Sequence, residues 1–264
     1  MNLADTGMPR LSVVVTTSQS GRADDIPAAF LAETGWPLVA RGRRSLARVQ
    51  EEAGADAVAV WMPQGPRLFV DGEVFYFHPS MAKNRLSRHR KGLAVDVLQR
   101  VAGIRPGDQV LDCTLGLGAD AIVASWLAGA GGRVVGLEAS PEVAAIVRWG
   151  MRCYHSGISW LDEAIWRIEV LCAHHLQYLR ALPAASFDVV LFDPMFRQPV
   201  HASRPLTPLR RLAQGGPLER EAVEAARRVA RRRVVLKERR HSPEFARLGF
   251  ARVEGGESSR VAYG

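Results

Sequence analysis

Apolar residues along this chain fall into short β-branched runs separated by amphipathic stretches, which is the pattern of alternating strands and helices. Residues 11–16 and 57–61 are such runs and read as buried strands. Between them, Asp24 and Asp25 open a helical stretch to Glu33, and Ser45 is placed to cap a helix over 46–53. Residues 66–77 predict a hairpin that turns at Asp71-Gly72, a dipeptide suited to the left-handed backbone of a two-residue turn. A helix over 93–102 then leads through Pro106-Gly107-Asp108 into a longer series. Its strands are expected from Val110 and at 133–138, 168–173, 186–193 and 233–237. Its helices are expected at 121–127, from Ser140-Pro141 to about Met151, at 218–231 and at 243–249, with closing strands at 250–254 and 259–263. Residues between Met151 and Trp166 show no assigned element. Strands alternating with helices predict an α/β fold, a mostly parallel sheet with helices on both faces. Residues 1–78 read as a small accessory α/β unit and 79–264 as the main domain.

Composition narrows the classes. At 264 residues and 47% apolar, the chain can bury one good core, or one core and a small satellite. No run reaches the roughly 18–20 apolar residues needed to span a bilayer. The N-terminus shows no basic segment followed by an apolar one, so a cytoplasmic, membrane-free protein is expected. Cys113, Cys153 and Cys172 have no Cys-x-x-Cys spacing and read as reduced thiols, not as a metal site. The formal charge of +8 points to a polyanionic partner, although an arginine-rich composition alone would produce the same charge. Five cations cluster just ahead of the longer series: Lys83, Arg85, Arg88, Arg90 and Lys91. They are either a solvated linker face or a strip of phosphate contacts. Lys237, at a strand end, is a further candidate for phosphate.

The chemistry centres on Val110-Leu-Asp-Cys-Thr-Leu-Gly-Leu-Gly-Ala-Asp120. A strand climbs to Asp112, and Gly116 and Gly118 turn the chain directly into a helix. Glycine permits the tight turn, and without a Cβ it lets a ligand lie against the backbone. Gly116-x-Gly118-x-x-Ala121 also satisfies a dinucleotide pattern, and Glu138 follows at about the distance of a ribose-binding acid. A nicotinamide enzyme is therefore a rival on these residues alone. Asp112 argues against it, because a fixed anion is unwelcome beside a pyrophosphate but attracts the α-amino cation of S-adenosylmethionine.

Asp193-Pro194-Met195-Phe196 closes the fourth strand of the series beside the same crevice. It resembles the [D/N]-P-P-[Y/F] motif of methyltransferases acting on exocyclic amines of bases. Such an amine is a poor nucleophile because its lone pair is delocalised into the ring. Acceptors on its N–H groups, the Asp193 carboxylate and the Pro194 carbonyl, orient it and return electron density to nitrogen. Phe196 offers a face for a flipped base.

From about His78 onward the chain resembles the ribosomal RNA small-subunit methyltransferase J family, which methylates guanine N2, and most closely a Gram-positive branch of it. The likeness rests on the glycine loop, Glu138 with its small-Pro turn, the strand into His174, Asp193-Pro194-Met195-Phe196, and Arg233-Val-Val-Leu-Lys237. It implies a Rossmann-like class I methyltransferase with a seven-stranded, mostly parallel sheet. It implies a cofactor site for S-adenosylmethionine at Ala119, Asp120, Glu138, Ala139, His174, His175 and Asp193, joined by Asp112, Thr114, Gly116 and Gly118 of the loop. Glu138 would hold the ribose hydroxyls, and His174-His175 would lie beside the adenine. The implied partner is ribosomal RNA or the small subunit, and the implied catalytic set is Asp193, Pro194 and Phe196. The chain departs from the family at Ala119 and Ala139, where relatives carry Arg, and at His174-His175, where they carry a Ser pair. These departures bear on the target nucleotide. The alternatives are methylation of adenine or cytosine amines in DNA, and a cofactor-binding RNA-binding factor without catalysis. The oligomeric state and the job of residues 1–78 are left open by the sequence.

Overall fold

The computed structural model describes residues 8, 10–93, 95–194, 216–255 and 259–264. The chain opens with strand β1 (Val13–Thr17), helices α1 (Ala28–Thr34) and α2 (Leu46–Ala53), and strands β2 (Ala57–Met62), β3 (Gly65–Val70) and β4 (Glu73–Tyr76). β1 pairs parallel to β2, and β2, β3 and β4 form an antiparallel meander. Asp71 and Gly72, the two residues between β3 and β4, both have positive φ, as the hairpin signal requires. Ser45 caps α2 by accepting the Arg48 N–H.

The basic stretch forms helix α3 (Ser80–Arg90), and α4 (Val97–Ala102) follows. α4 is shorter than the 93–102 expected, because the side chain of Asp96 accepts the Leu98 N–H and sets the helix start. The main sheet comprises β5 (Gln109–Asp112), β6 (Arg133–Glu138), β7 (Ile168–Cys172), β8 (Phe187–Phe192), β9 (Ala230–Arg239), β10 (Glu254–Gly255) and β11 (Val261–Tyr263). Its helices are α5 (Ala119–Ala128), α6 (Pro141–Cys153), α7 (Ser159–Trp166), α8 (His175–Ala181), α9 (Arg220–Val229) and α10 (Glu244–Arg247). α7 occupies the stretch for which no element was expected. Its buried Leu161, Asp162, Ala164 and Ile165 share one face.

The seven strands lie in the order β7-β6-β5-β8-β9-β11-β10. The first five are parallel, and β11 runs antiparallel between β9 and β10. The expected seven-stranded, mostly parallel sheet is therefore observed. From β5 the chain moves outward through β6 and β7, then returns to β8 on the other side of β5. The crevice above the C-terminal end of β5 lies at this reversal, where open α/β sheets bind ligands.

The two sheets share a core, although Val14, Val49, Val58 and Val60 form a small cluster of their own under α2. One cluster of buried side chains runs from Val13, Phe30, Leu68 and Phe75 of the first sheet and its helices to Ile122, Ile146, Leu161 and Val235. A second cluster lies under α8, α9 and α10 on the opposite face of the main sheet. At the junction, the Phe30 ring centroid is 5.1 Å from that of Trp61 and 5.6 Å from that of Trp149 on α6. Glu33 accepts the Trp149 Nε1–H at 3.1 Å and pairs with Arg148. Gly150 makes the close approach possible, since a Cβ there would sit 2.3 Å from Phe77 Cβ.

A shared core predicts a single cooperative unfolding transition. Phe30→Ala should lower stability by about 3–5 kcal/mol in chemical denaturation followed by circular dichroism. Two resolved transitions, with only the first moved by this substitution, would show instead that residues 1–78 fold by themselves.

Candidate active site

β5 delivers Asp112 to the crevice, and the loop that follows is tied down on both sides. Cys113 N–H donates to Leu191 O of β8, and Leu115 N–H donates to Leu137 O of β6. Gly116 and Gly118 have positive φ, and a Cβ on Gly118 would lie 2.5 Å from the Met151 side chain. The chain then enters α5, whose first-turn N–H groups have no intrahelical acceptor and point at the crevice.

Three of the expected site residues are linked by a chain of hydrogen bonds. Thr114 N–H donates to Asp112 Oδ1 at 3.0 Å, and Asp193 N–H donates to Thr114 Oγ1 at 2.5 Å. The acceptor segment after β8 is thus anchored on the glycine loop. Glu138 ends β6 with both carboxylate oxygens engaged: Gly116 N–H reaches Oε2 at 3.2 Å and Ser140 N–H reaches Oε1 at 2.9 Å. Burial raises its pKa, and hydrogen bonds from the backbone of Ser140, Gly116 and Ala139 oppose the rise.

His174 caps α8, accepting the Leu176 N–H at its Nδ1, 3.3 Å away. His175 stacks on it with ring centroids 4.6 Å apart and meets Phe192 edge-on. Burial, and then the neighbouring His174, push His175 down to about 4, so it is neutral at physiological pH. Its Nε2 is buried with no partner among the described residues. Pro194 follows Asp193 at the crevice. Met195 and Phe196 lie outside the described residues.

Asp112, Asp120 and Asp193 converge, and two cations lie among them. Lys237 Nζ is 3.0 Å from Asp120 Oδ2 and 2.5 Å from Asp193 Oδ2. Arg85 on α3 holds Asp96 through Nε and Nη2 at 2.7 and 2.8 Å and pairs with Asp120 through Nη1. Tyr263 O–H donates to Asp120 Oδ1 at 3.2 Å. Burial pushes the Asp120 carboxyl up, but Lys237 and Arg85 outweigh it and hold the group well below its usual range. Asp112, only 2% exposed, makes no ion pair among the described residues. Burial carries it up to about 8; the Thr114 N–H bond opposes this, and Asp120 and Asp193 add like-charge repulsion.

This corrects two expectations. Arg85 and Lys237 are not exposed phosphate contacts, because both are enclosed in ion pairs with site carboxylates. Asp120, 4% exposed, has its carboxylate committed to those partners, leaving its place in the first turn of α5 as its means of reaching a ligand. The other members of the basic strip do face outward: Arg88, Arg90 and Lys91 are exposed and Lys83 is half-buried, with the Arg90 guanidinium over the Trp160 ring at 4.8 Å. Lys237 could have been flagged. Only three of the 35 basic residues are lysines, Lys83, Lys91 and Lys237, and this one ends a buried apolar strand. Asp96 and Tyr263 gave no comparable signal.

The donor set suits S-adenosylmethionine. Glycines open the loop to a bulky ligand, α5 offers free N–H groups to a carboxylate, and Glu138 sets a carboxylate against the Gly116 N–H of the same loop. Asp112 is a buried carboxyl with no ion-pair partner among the described residues, which suits an α-amino group. The strand order, with its single antiparallel strand inserted next to the edge, and these residues together define an S-adenosylmethionine-dependent methyltransferase. The comparisons agree and give the family. Residues 71–260 match the model described as "Putative SAM-dependent methyltransferase", and the chain belongs to that family. Uncharacterized protein YpiP of Bacillus subtilis (strain 168) is 38% identical over 239 residues, covering 90% of this chain and 93% of that protein. Ribosomal RNA small subunit methyltransferase J of Erwinia tasmaniensis is 32% identical over 188 residues, covering 69% and 70%. Among solved structures, a SAM-dependent methyltransferase from Neisseria gonorrhoeae shares the fold with a TM-score of 0.62 at 19% identity, covering 94% of this chain and 93% of that one. The resemblance to the J family therefore holds, and S-adenosylmethionine is the cofactor.

Asp112 has a consequence for stability. Its pKa is higher folded than unfolded, so between about pH 4 and 8 the folded chain binds the extra proton, and stability falls as pH rises through this window. Asp112→Asn keeps the acceptor for Thr114 and cannot ionise. At pH 8, without cofactor, it should be more stable than wild type by roughly 2–5 kcal/mol, with the difference fading towards pH 4. Thermal or denaturant melts across that range measure it.

Proposed function

We propose that this methyltransferase acts on the exocyclic N2 amine of a guanine in small-subunit ribosomal RNA. The observation that supports the reading is the tether from Asp112 through Thr114 to Asp193, which sets the Asp193-Pro194 segment, read here as the amine acceptor, against the glycine loop. The likeness to proteins named as ribosomal RNA small subunit methyltransferase J supports the choice of substrate.

S-adenosylmethionine supplies an electrophilic methyl on a sulfonium sulfur. Asp112 would hold its α-amino group, Thr114, Gly116, Gly118, Ala119 and Asp120 its methionine end, Glu138 and Ala139 its ribose, and His174 and His175 its adenine. The Asp193 carboxylate and the Pro194 carbonyl accept the two N–H bonds of the amine, which turns the nitrogen lone pair towards the methyl. The carbon–sulfur bond would break as the carbon–nitrogen bond forms, and Asp193 would pass the released N–H proton to solvent. Phe196 stacks the flipped base, a contact worth about 1–3 kcal/mol. Alignment of this kind can account for roughly 7–11 kcal/mol of the barrier.

Burial, with Asp120 adding to it against the pull of Lys237, raises the Asp193 carboxyl to about 6. Asp193 must be ionised to accept from the amine, so activity should fall as pH drops through that region. Asp193→Ala should abolish methyl transfer to small subunits from a strain lacking the gene, while the variant still melts cooperatively and binds S-adenosylmethionine. Mass spectrometry of nucleosides from RNA and DNA of that strain tests the target. Loss of N2-methylguanosine from RNA is expected. Loss of a methylated adenine or cytosine from DNA would replace it with the second reading.

The cations of α3 and its C-cap extend the proposal to RNA binding by Lys83, Arg88, Arg90 and Lys91, in the cytoplasm, with residues 1–78 as the accessory unit. No helix among the described residues is long and apolar enough to cross a membrane. Replacing Arg88, Arg90 and Lys91 together by Gln should weaken binding to ribosomal RNA and reduce the slope of log K against log salt by about 2–3. An unchanged slope would make this face a solvated one.

A further inference from the structure

Lys237 has no established place in the reaction. It stands near the C-terminal end of β9, opposite Tyr263 of β11 in the sheet register. Its ammonium joins two carboxylates of very different freedom. Asp120 is anchored: Arg85 and Tyr263 bond its Oδ1 and Lys237 its Oδ2. Asp193 is the looser partner, with 30% of its side chain exposed and only its Oδ2 bonded to Lys237. Its Oδ1 has no hydrogen bond among the described residues.

We propose that Lys237 is the positioning residue of this active site. By tying Asp193 Oδ2 to the anchored Asp120, it keeps the Asp193 carboxylate ionised and presents Oδ1 to the amine of the incoming base. The role rests on the acceptor function assigned to Asp193 above. It has two physical parts. The first is orientation: a carboxylate at a strand end rotates freely about its last bond unless one oxygen is held, and Lys237 holds it. The second is charge. Asp193 faces Asp112 from β5 and Asp120 from α5, and burial and both carboxylates disfavour its ionised form. Against them stand Lys237 in direct contact, from β9, and Arg85 from α3, which contacts Asp120 and not Asp193; Tyr263 from β11 is a neutral phenol. Removing Lys237 leaves Asp193 without a direct counter-ion among the described residues. The remaining Arg85 and Tyr263 still hold Asp120, so the fold around α5 keeps most of its support.

The test follows the Asp193 carboxyl directly. A carbon-13 NMR titration of aspartate-labelled protein, with Asp193→Asn to assign the resonance, gives its midpoint without any substrate. Lys237→Met, with Lys237→Gln as the second variant, should move that midpoint up by a pH unit or more, and Lys237→Arg should leave it within about half a unit. In methyl transfer to small subunits from a strain lacking the gene, Lys237→Met should lower kcat at least tenfold at pH 7. It should shift the acid limb of kcat upward in step with the titration and leave KM for the subunits within about threefold. Lys237→Arg should recover most of the rate. An unmoved midpoint in both neutral variants overturns the inference, and so does a moved midpoint with unchanged kcat, which would make Lys237 a tie between β9 and α5 only. Wild-type protein inactive on the subunits overturns the target proposed above and not the pairing, which the titration alone then decides.

Discussion

Asp96, Asp112, Asp120 and Asp193 gather at the mouth of the main sheet, and their mutual repulsion is the constraint around which the site is built. Carboxylates this close and this buried cannot all be ionised unless cations are placed among them. Arg85 and Lys237 meet that need for three of the four. Asp112 is left as a carboxyl that keeps its proton until a cation arrives. The site is therefore short of positive charge by design of its own donors, which is the electrostatic state a sulfonium cofactor with an α-amino group complements. The strain is tolerated in the empty protein because β5, β8 and α5 are locked by backbone bonds that do not depend on the carboxylates.

A second chain of contacts joins the accessory sheet to this crevice. Leu11 N–H donates to Glu142, Glu142 accepts from Ser140 Oγ, and the Ser140 N–H holds Glu138. Together with the Phe30, Trp61 and Trp149 cluster, it makes α6 the element through which the N-terminal unit touches the cofactor side of the main domain. The unit thus helps to hold the framework of the site.

Much of this was readable along the chain. The hairpin at Asp71-Gly72, the capped starts of α2 and α6 and the strand-helix alternation of the main domain follow from local rules that neighbouring residues settle between themselves. The glycine loop and the acids ending β5, β6 and β8 were legible for the same reason: each is a short motif at a strand end. α7 was passed over because its apolar face is short and interrupted by the structural Asp162, which accepts from Ser156 and Gly157. The extent of α4 was misread because Asp96 acts at once as helix cap and as partner of Arg85.

The sequence by itself determined the class of fold and the glycine loop of a methyltransferase, since strand-helix alternation and the loop motif are each set by residues close together in the chain. Only the tertiary structure decided which charges work inside the site. Arg85 meets Asp120 across 35 residues, and Lys237 meets Asp193 and Asp120 across 44 and 117. In a chain with 35 basic residues, nothing local separates Arg85 from the arginines that face water, and Lys237 is marked only as a rare lysine ending a buried strand. That difference is set by sheet order, which brings the ends of β5, β8 and β9 side by side with α3 above them.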